Sequence, residues 1–110
     1  MKVVPKASDQ DLDQLASLFQ LLSDKTRLRI LTMLADGESN VTGLCRGLDL
    51  PQPTVSHHLG LLRIHNVIGN RRKGKQVFYF LNNGSVNADK SQGLQLNLEN
   101  VSVKIVPLED

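Results

Sequence analysis

Leu12, Leu15, Ala16, Phe19 and Leu22 fall three or four positions apart, the spacing that lines one side of a helix. Ser8-Asp9-Gln10-Asp11 ahead of them has the form of a capping box, and Asp9, Asp11 and Asp13 suit the positive end of a helix dipole. Leu18 and Leu21 widen the apolar surface beyond one stripe, so this helix is expected between two layers or against a second subunit. A second helix restarts at Ser23-Asp24, carries Leu28, Leu31, Leu34 and Ala35, and stops near Gly37.

Glu38-Ser39-Asn40 reads as a loop in which Asn40 caps a short third helix over residues 41–48. Gly43 and Gly47 each cost such a helix about 1 kcal/mol relative to Ala, so packing of Leu44 and Leu48 has to hold it. Asp49-Leu50-Pro51 is a turn, and Pro53 suits the first turn of a fourth helix over residues 52–65. Pro51 stands where a Ser or Asp cap is expected, so that cap is missing. Val55, Leu59 and Leu62 share one side of the fourth helix. Pro53, Ser56, His57 and Gly60 lie opposite, Gln52 and Thr54 flank them, and His58 lies beside the apolar side. Asn66 can adopt the left-handed conformation that ends the helix.

Residues 67–72 and 75–81 read as two strands around Lys73-Gly74, a hairpin. Residues 82–93 are polar and rich in Gly, Ser and Asn, the composition of a linker. Beyond them Leu94, Leu96, Leu98, Val101, Val103 and Ile105 alternate as in strands, although Leu94, Leu98, Val101 and Ile105 also fit a helix. The β-branched residues at 101, 103, 105 and 106 favour strands. The expected fold is mainly α with a small β-hairpin wing: a winged helix-turn-helix over residues 8–82, then a linker and C-terminal strand-like extension over 83–110.

A chain of 110 residues is one small domain, or one domain with an appendage. With four aromatic residues and no Trp, its core has to be mostly Leu, Val and Ile. A domain of this size folds alone but gains from dimerisation. No apolar run approaches the ~18 residues of a membrane span. Met1-Lys-Val-Val-Pro5 is too short and polar for a signal peptide, so a cytoplasmic protein is expected. The lone Cys45 excludes an intrachain disulfide and any multi-thiolate metal site within one chain, and no cofactor is implied.

Charge sharpens this outline. Residues 50–88 hold five Arg and Lys, all three histidines, and no Asp or Glu, while the rest of the chain holds eight basic and eleven acidic side chains. A formal net charge of +2 therefore conceals a strongly basic segment, and a polyanion responds to local potential rather than to the sum. Two helices joined by a tight turn and followed by a basic hairpin make a reader of double-stranded DNA, its second helix entering the major groove. Gln52, Thr54, Ser56 and His57 are the short or forked hydrogen bonders needed at base edges. Arg71, Arg72, Lys73 and Lys75 on the hairpin would lie against phosphates or reach the minor groove.

Three segments also resemble the ArsR/SmtB family of bacterial winged-helix repressors: Leu21-Leu-Ser-Asp-Lys-Thr-Arg-Leu-Arg-Ile-Leu31, Gln52-Pro-Thr-Val-Ser-His-His-Leu59, and Asn66-Val-Ile-Gly-Asn-Arg-Arg-Lys-Gly-Lys-Gln-Val-Phe-Tyr-Phe-Leu81. The resemblance covers about residues 10 to 82. It implies a homodimer that binds a palindromic operator and releases it when an inducer arrives, with residues 52–58 as the reading face and Arg71 to Lys75 as the wing. The chain also departs from that family. Cys45-Arg46-Gly47 keeps only the first thiol of the Cys-x-Cys spacing used by its arsenic and cadmium sensors. No histidine follows His65, whereas its zinc sensors use Asp and His on a C-terminal helix. The final helix that normally completes the dimer interface is replaced by the strand-like residues 94–106, and Gly60 stands where the family usually has a longer side chain. Metal sensing is therefore not expected.

Other residues invite competing readings. His57 and His58 point about 100° apart on a helix and cannot readily chelate one ion, so His57 is expected on DNA and His58 against the helices. Cys45 can be weighed as a thiol sensor with Arg46 beside it, but a small buried hydrophobe is favoured. The broad apolar surface of residues 11–22 favours a dimer interface, with the C-terminal extension as a second contributor. No nucleophile, base and orienter are grouped as in an enzyme. The competing class is a protein-interaction module that keeps the winged fold without reading DNA, using residues 94–106 as its surface.

Overall fold

In the computed structural model, which describes residues 2–3, 7–89, 93–106 and 108, the elements run β1 (Lys2–Val3), α1 (Asp9–Leu22), α2 (Lys25–Ala35), β2 (Ser39–Asn40), α3 (Val41–Leu48), α4 (Gln52–Ile64), β3 (Ile68–Lys73), β4 (Gln76–Leu81), β5 (Val86–Asp89), β6 (Gly93–Asn97) and β7 (Ser102–Ile105). Each helix start follows from its sequence. The Ser8 hydroxyl accepts from the Asp11 N–H and the Asp11 carboxylate accepts from the Ser8 N–H, a complete capping box. Asp24 caps α2 by accepting from the Arg27 N–H, and Asn40 caps α3 by accepting from the Gly43 N–H at 2.8 Å. Pro51 precedes α4 with no side-chain cap, as the sequence predicts. Asn66 ends α4 with φ +60°.

The core is aliphatic. Leu18, Leu21 and Leu22 of α1, Ile30, Leu31 and Leu34 of α2, Leu44 and Leu48 of α3, and Val55, Leu59 and Leu62 of α4 pack in one cluster. A smaller group of Leu15, Val101 and Val103 sits beside it, joined by Phe19 and Leu98. Burial of aliphatic side chains contributes roughly 1.5–3 kcal/mol each, so these contacts dominate the stability.

Two antiparallel sheets frame the helices. One has the order β2-β4-β3, with Arg71 opposite Phe78 and Lys73 opposite Gln76 across the hairpin, whose tip turns at Gly74 with φ +63°. The other has the order β1-β7-β6-β5. Its registers place Ala88, Leu94 and Ile105 in one cross-strand row and Val86, Leu96 and Val103 in the next. Period-two alternation gives this sheet an apolar inner face, while Asn87, Gln95, Asn97, Ser102 and Lys104 take the other. The strand reading of residues 94–106 is therefore observed.

Two expectations are corrected. Residues 82–93 are not simply a linker: β5 lies within them, and Val86 is only 1% exposed in the main core cluster. Its apolar alternation is two residues long, too short to stand out in a polar stretch, and its pairing partner β6 lies beyond residue 92. Likewise 38–40 is more than a loop, because Ser39 pairs with Tyr79 and Asn40 with Phe78 as the third strand of the hairpin sheet.

Candidate nucleic-acid interface

α3 and α4 meet through a turn in which Asp49 takes the left-handed conformation, φ +55°. Val55, Leu59 and Leu62 are buried to within 1% and pin one side of α4 to the core. Their spacing leaves Gln52, Thr54, His57 and Gly60 exposed on the other side, with Ser56 half-buried among them. Gln52 Nε2 donates to Ser56 Oγ at 2.7 Å, so two of the expected base-reading side chains are bonded to each other. Gly60 has nothing within 4 Å of where a Cβ would stand, which leaves open space beside this face.

His58 lies beside that face and against the helices, as expected, with its ring centre 5.6 Å from that of His57. It is half-buried, and its Nδ1 accepts from Arg27 Nε at 3.3 Å. Arg27 also donates from Nη1 to the Leu21 carbonyl at 2.7 Å and lies near Asp24. The Asp24 carboxyl titrates below its ordinary range, mainly because it accepts the Arg27 backbone N–H. Cys45 is half-buried against the main core cluster. No three of His, Cys, Asp and Glu gather as metal ligands among the described residues.

Arg71, Arg72, Lys73 and Lys75 all lie exposed on the hairpin, but they are not equivalent. Strand alternation puts Arg71 and Lys73 on the same face of β3. There the Arg71 guanidinium lies 5.7 Å from the Phe80 ring centre and the Lys73 ammonium 5.1 Å from that of Phe78. Both cations also bond to Glu38: Arg71 Nη2 to Oε2, and Lys73 Nζ to Oε1 at 2.7 Å. The Glu38 carboxyl is held below its usual range, chiefly by the Lys73 hydrogen bond and then by the Arg71 charge. The sequence gives no local sign of this acid's role. Glu38 lies 33 and 35 residues before its partners and falls outside the acid-free stretch.

Gly69 opposes Phe80 on β4, whose ring approaches to 2.8 Å of the position a Cβ would take. The missing side chain lets the ring lie flat across β3, toward Arg71. α4 and β3 border a common groove of about 660 Å³ lined by Gly60, Arg63, Ile64, Ile68, Gly69 and Asn70 among others. α4 and the base of the hairpin thus face one concavity.

Residues 24–68, from the cap of α2 to the start of β3, match the family described as "Bacterial regulatory protein, arsR family". The transcriptional repressor SdpR of Bacillus subtilis is 35% identical over 66 residues, which cover 60% of this chain and 73% of SdpR. This chain belongs to the ArsR family. The HTH-type transcriptional regulator KmtR of Mycobacterium tuberculosis is 37% identical over 78 residues that cover 71% of this chain. The chain spans 60% of the length of KmtR. Among solved structures, a homodimeric winged helix-turn-helix DNA-binding domain from Mycobacterium bovis is 29% identical with a TM-score of 0.62, covering 72% of this chain and 76% of that one. The family match itself spans α2, β2, α3 and α4 and stops where the hairpin begins. No helix among the described residues is long and apolar enough to cross a membrane.

Proposed function

We propose that this chain is a sequence-specific DNA-binding repressor that works as a homodimer on a palindromic operator, a binding protein of the cytoplasm rather than an enzyme. The observation that carries this reading is the exposed face of α4. Gln52, Thr54, Ser56 and His57 project from a helix locked by three fully buried residues, beside a hairpin that bears four cations. Rigid presentation of hydrogen-bonding side chains is what base readout in the major groove requires. SdpR is a transcriptional repressor and the M. bovis domain is homodimeric and DNA-binding, which supports this reading. On α1, Leu12 is 50% exposed and Ala16 lies one turn on, an apolar strip suited to pairing two copies.

Fluorescence anisotropy with the DNA upstream of the protein's own gene tests the reading. The logarithm of affinity should fall steeply with the logarithm of salt, by about 0.9 per phosphate contact. Gln52→Ala or Ser56→Ala should lower discrimination by about 1–3 kcal/mol per lost base contact and leave that slope unchanged. Absence of binding, or binding independent of salt, would discard the proposal.

A further inference from the structure

Resting on the DNA-binding reading, we propose that Glu38 occupies the place of a DNA phosphate on the hairpin. It reserves Arg71 and Lys73, so that Arg72 and Lys75 are the wing cations that first reach the nucleic-acid backbone. The argument is geometric. Glu38 immediately precedes β2, and pairing of β2 with β4 brings it next to the face of β3 that carries Arg71 and Lys73. Each carboxylate oxygen takes one cation, Oε2 from Arg71 and Oε1 from Lys73. Two oxygens of one anion bridging two cations is also how a phosphodiester would sit there.

The cations are restrained from a second side by Phe80 and Phe78. The Glu38 side chain is only 27% exposed, against 55% and 51% for Arg71 and Lys73, so the anion is better covered than the groups it holds. Arg72 falls on the opposite face of β3 and Lys75 follows the Gly74 turn, and neither forms an ion pair among the described residues. A phosphate approaching Arg71 or Lys73 has to displace a carboxylate already in place.

The consequence is selectivity. Phosphate attraction is independent of sequence, whereas the contacts of α4 are not. An internal anion that cancels part of the former lowers binding to arbitrary DNA while leaving base recognition intact. Glu38 is thereby a specificity-determining residue that touches no base.

The test compares Glu38→Gln with Asp36→Asn, an equal change of charge two residues away at a site that makes no ion pair among the described residues. On a duplex of arbitrary sequence, Glu38→Gln should bind more tightly than Asp36→Asn, with a salt slope steeper by about one to two per subunit. Each added contact would widen the difference about three- to fourfold as salt falls from 200 to 50 mM. Equal slopes, or weaker binding by Glu38→Gln, would overturn the inference. Heparin resin separates this from failure of the DNA reading. If neither protein binds any duplex, later elution of Glu38→Gln from heparin still shows that Glu38 reserves the two cations, and co-elution with Asp36→Asn refutes it.

Discussion

Arg27 Nε donates to His58 Nδ1 at 3.3 Å, which ties α2 to α4 by a side-chain bond spanning 31 residues of chain. His58 sits next in sequence to His57, which is exposed and whose ring stands edge-on to that of His58 with 5.6 Å between ring centres. His58 therefore helps to orient α4 against α2. Hydrogen bonds to a charged group contribute about 1.5–3 kcal/mol, and Arg27 makes two to partners outside its own element. Arg27→Ala should lower the unfolding free energy by about that amount. A double-mutant cycle with His58→Ala in urea should give a coupling of about 0.5–1.5 kcal/mol. A coupling of zero would show that the pair does not fix the helix. Operator binding should weaken in Arg27→Ala without change in salt slope, because the residue is placed on no phosphate.

Leu96 is 2% exposed and belongs to the main cluster, not to an independent appendage. Leu96→Ala should destabilise the whole domain by about 2–5 kcal/mol, with a single unfolding transition read alike by circular dichroism and fluorescence of an added probe. Two separate transitions would show that the C-terminal sheet melts on its own.

Gly69→Ala would place a methyl group 2.8 Å from the Phe80 ring, closer than real side chains approach. The ring has to move, and overpacking of this kind costs about 1–3 kcal/mol. A drop in melting temperature is expected, together with a shift of the Phe80 ring resonances as the contact with Arg71 is lost. An unchanged melting temperature would mean that the ring swings aside freely.

Acid should weaken the fold through three carboxylates. Asp11 is held low chiefly by the Ser8 backbone N–H, Asp24 by the Arg27 backbone N–H, and Glu38 by Lys73. A carboxyl whose folded pKa is depressed stabilises the protein at pH values above its unfolded pKa, and that contribution is lost as pH falls through the folded value. Urea midpoints should therefore be steady near neutrality and fall below the ordinary values of 3.8 for Asp and 4.5 for Glu. Ser8→Ala should cost about 1 kcal/mol at neutral pH, and the difference from the unaltered protein should shrink in acid. A difference that stays constant down to low pH would show that the Ser8–Asp11 box is not its source.

The helices were legible because each carries its own signal, a cap followed by leucines at 3.6-residue spacing, and the α4 face followed from the same periodicity. The hairpin was legible from its turn and its basic tip. What escaped depends on partners distant in the chain. β2 is two residues long and becomes a strand only because Phe78 and Tyr79 lie beside it. Val86 reads as polar-loop filler until Leu96 pairs with it across the sheet. The alternation of Arg71, Arg72 and Lys73 could be read from sequence, but the anion that distinguishes them could not. Glu38 lies outside the charged segment and has no spacing relation to it.

Asn40 joins the hairpin sheet and α3 in one residue. Its backbone pairs with Phe78 in the hairpin sheet, its Oδ1 caps α3, and its Nδ2 donates to Gln76 Oε1 at 3.1 Å. The hairpin is thus tied through Asn40 to α3, the helix that precedes α4. On the proposed DNA-binding reading, α3 and the hairpin would move together in any release of DNA. In a dimer whose half-sites lie about one helical turn apart, a further variable is how two such bodies are spaced and rotated against each other.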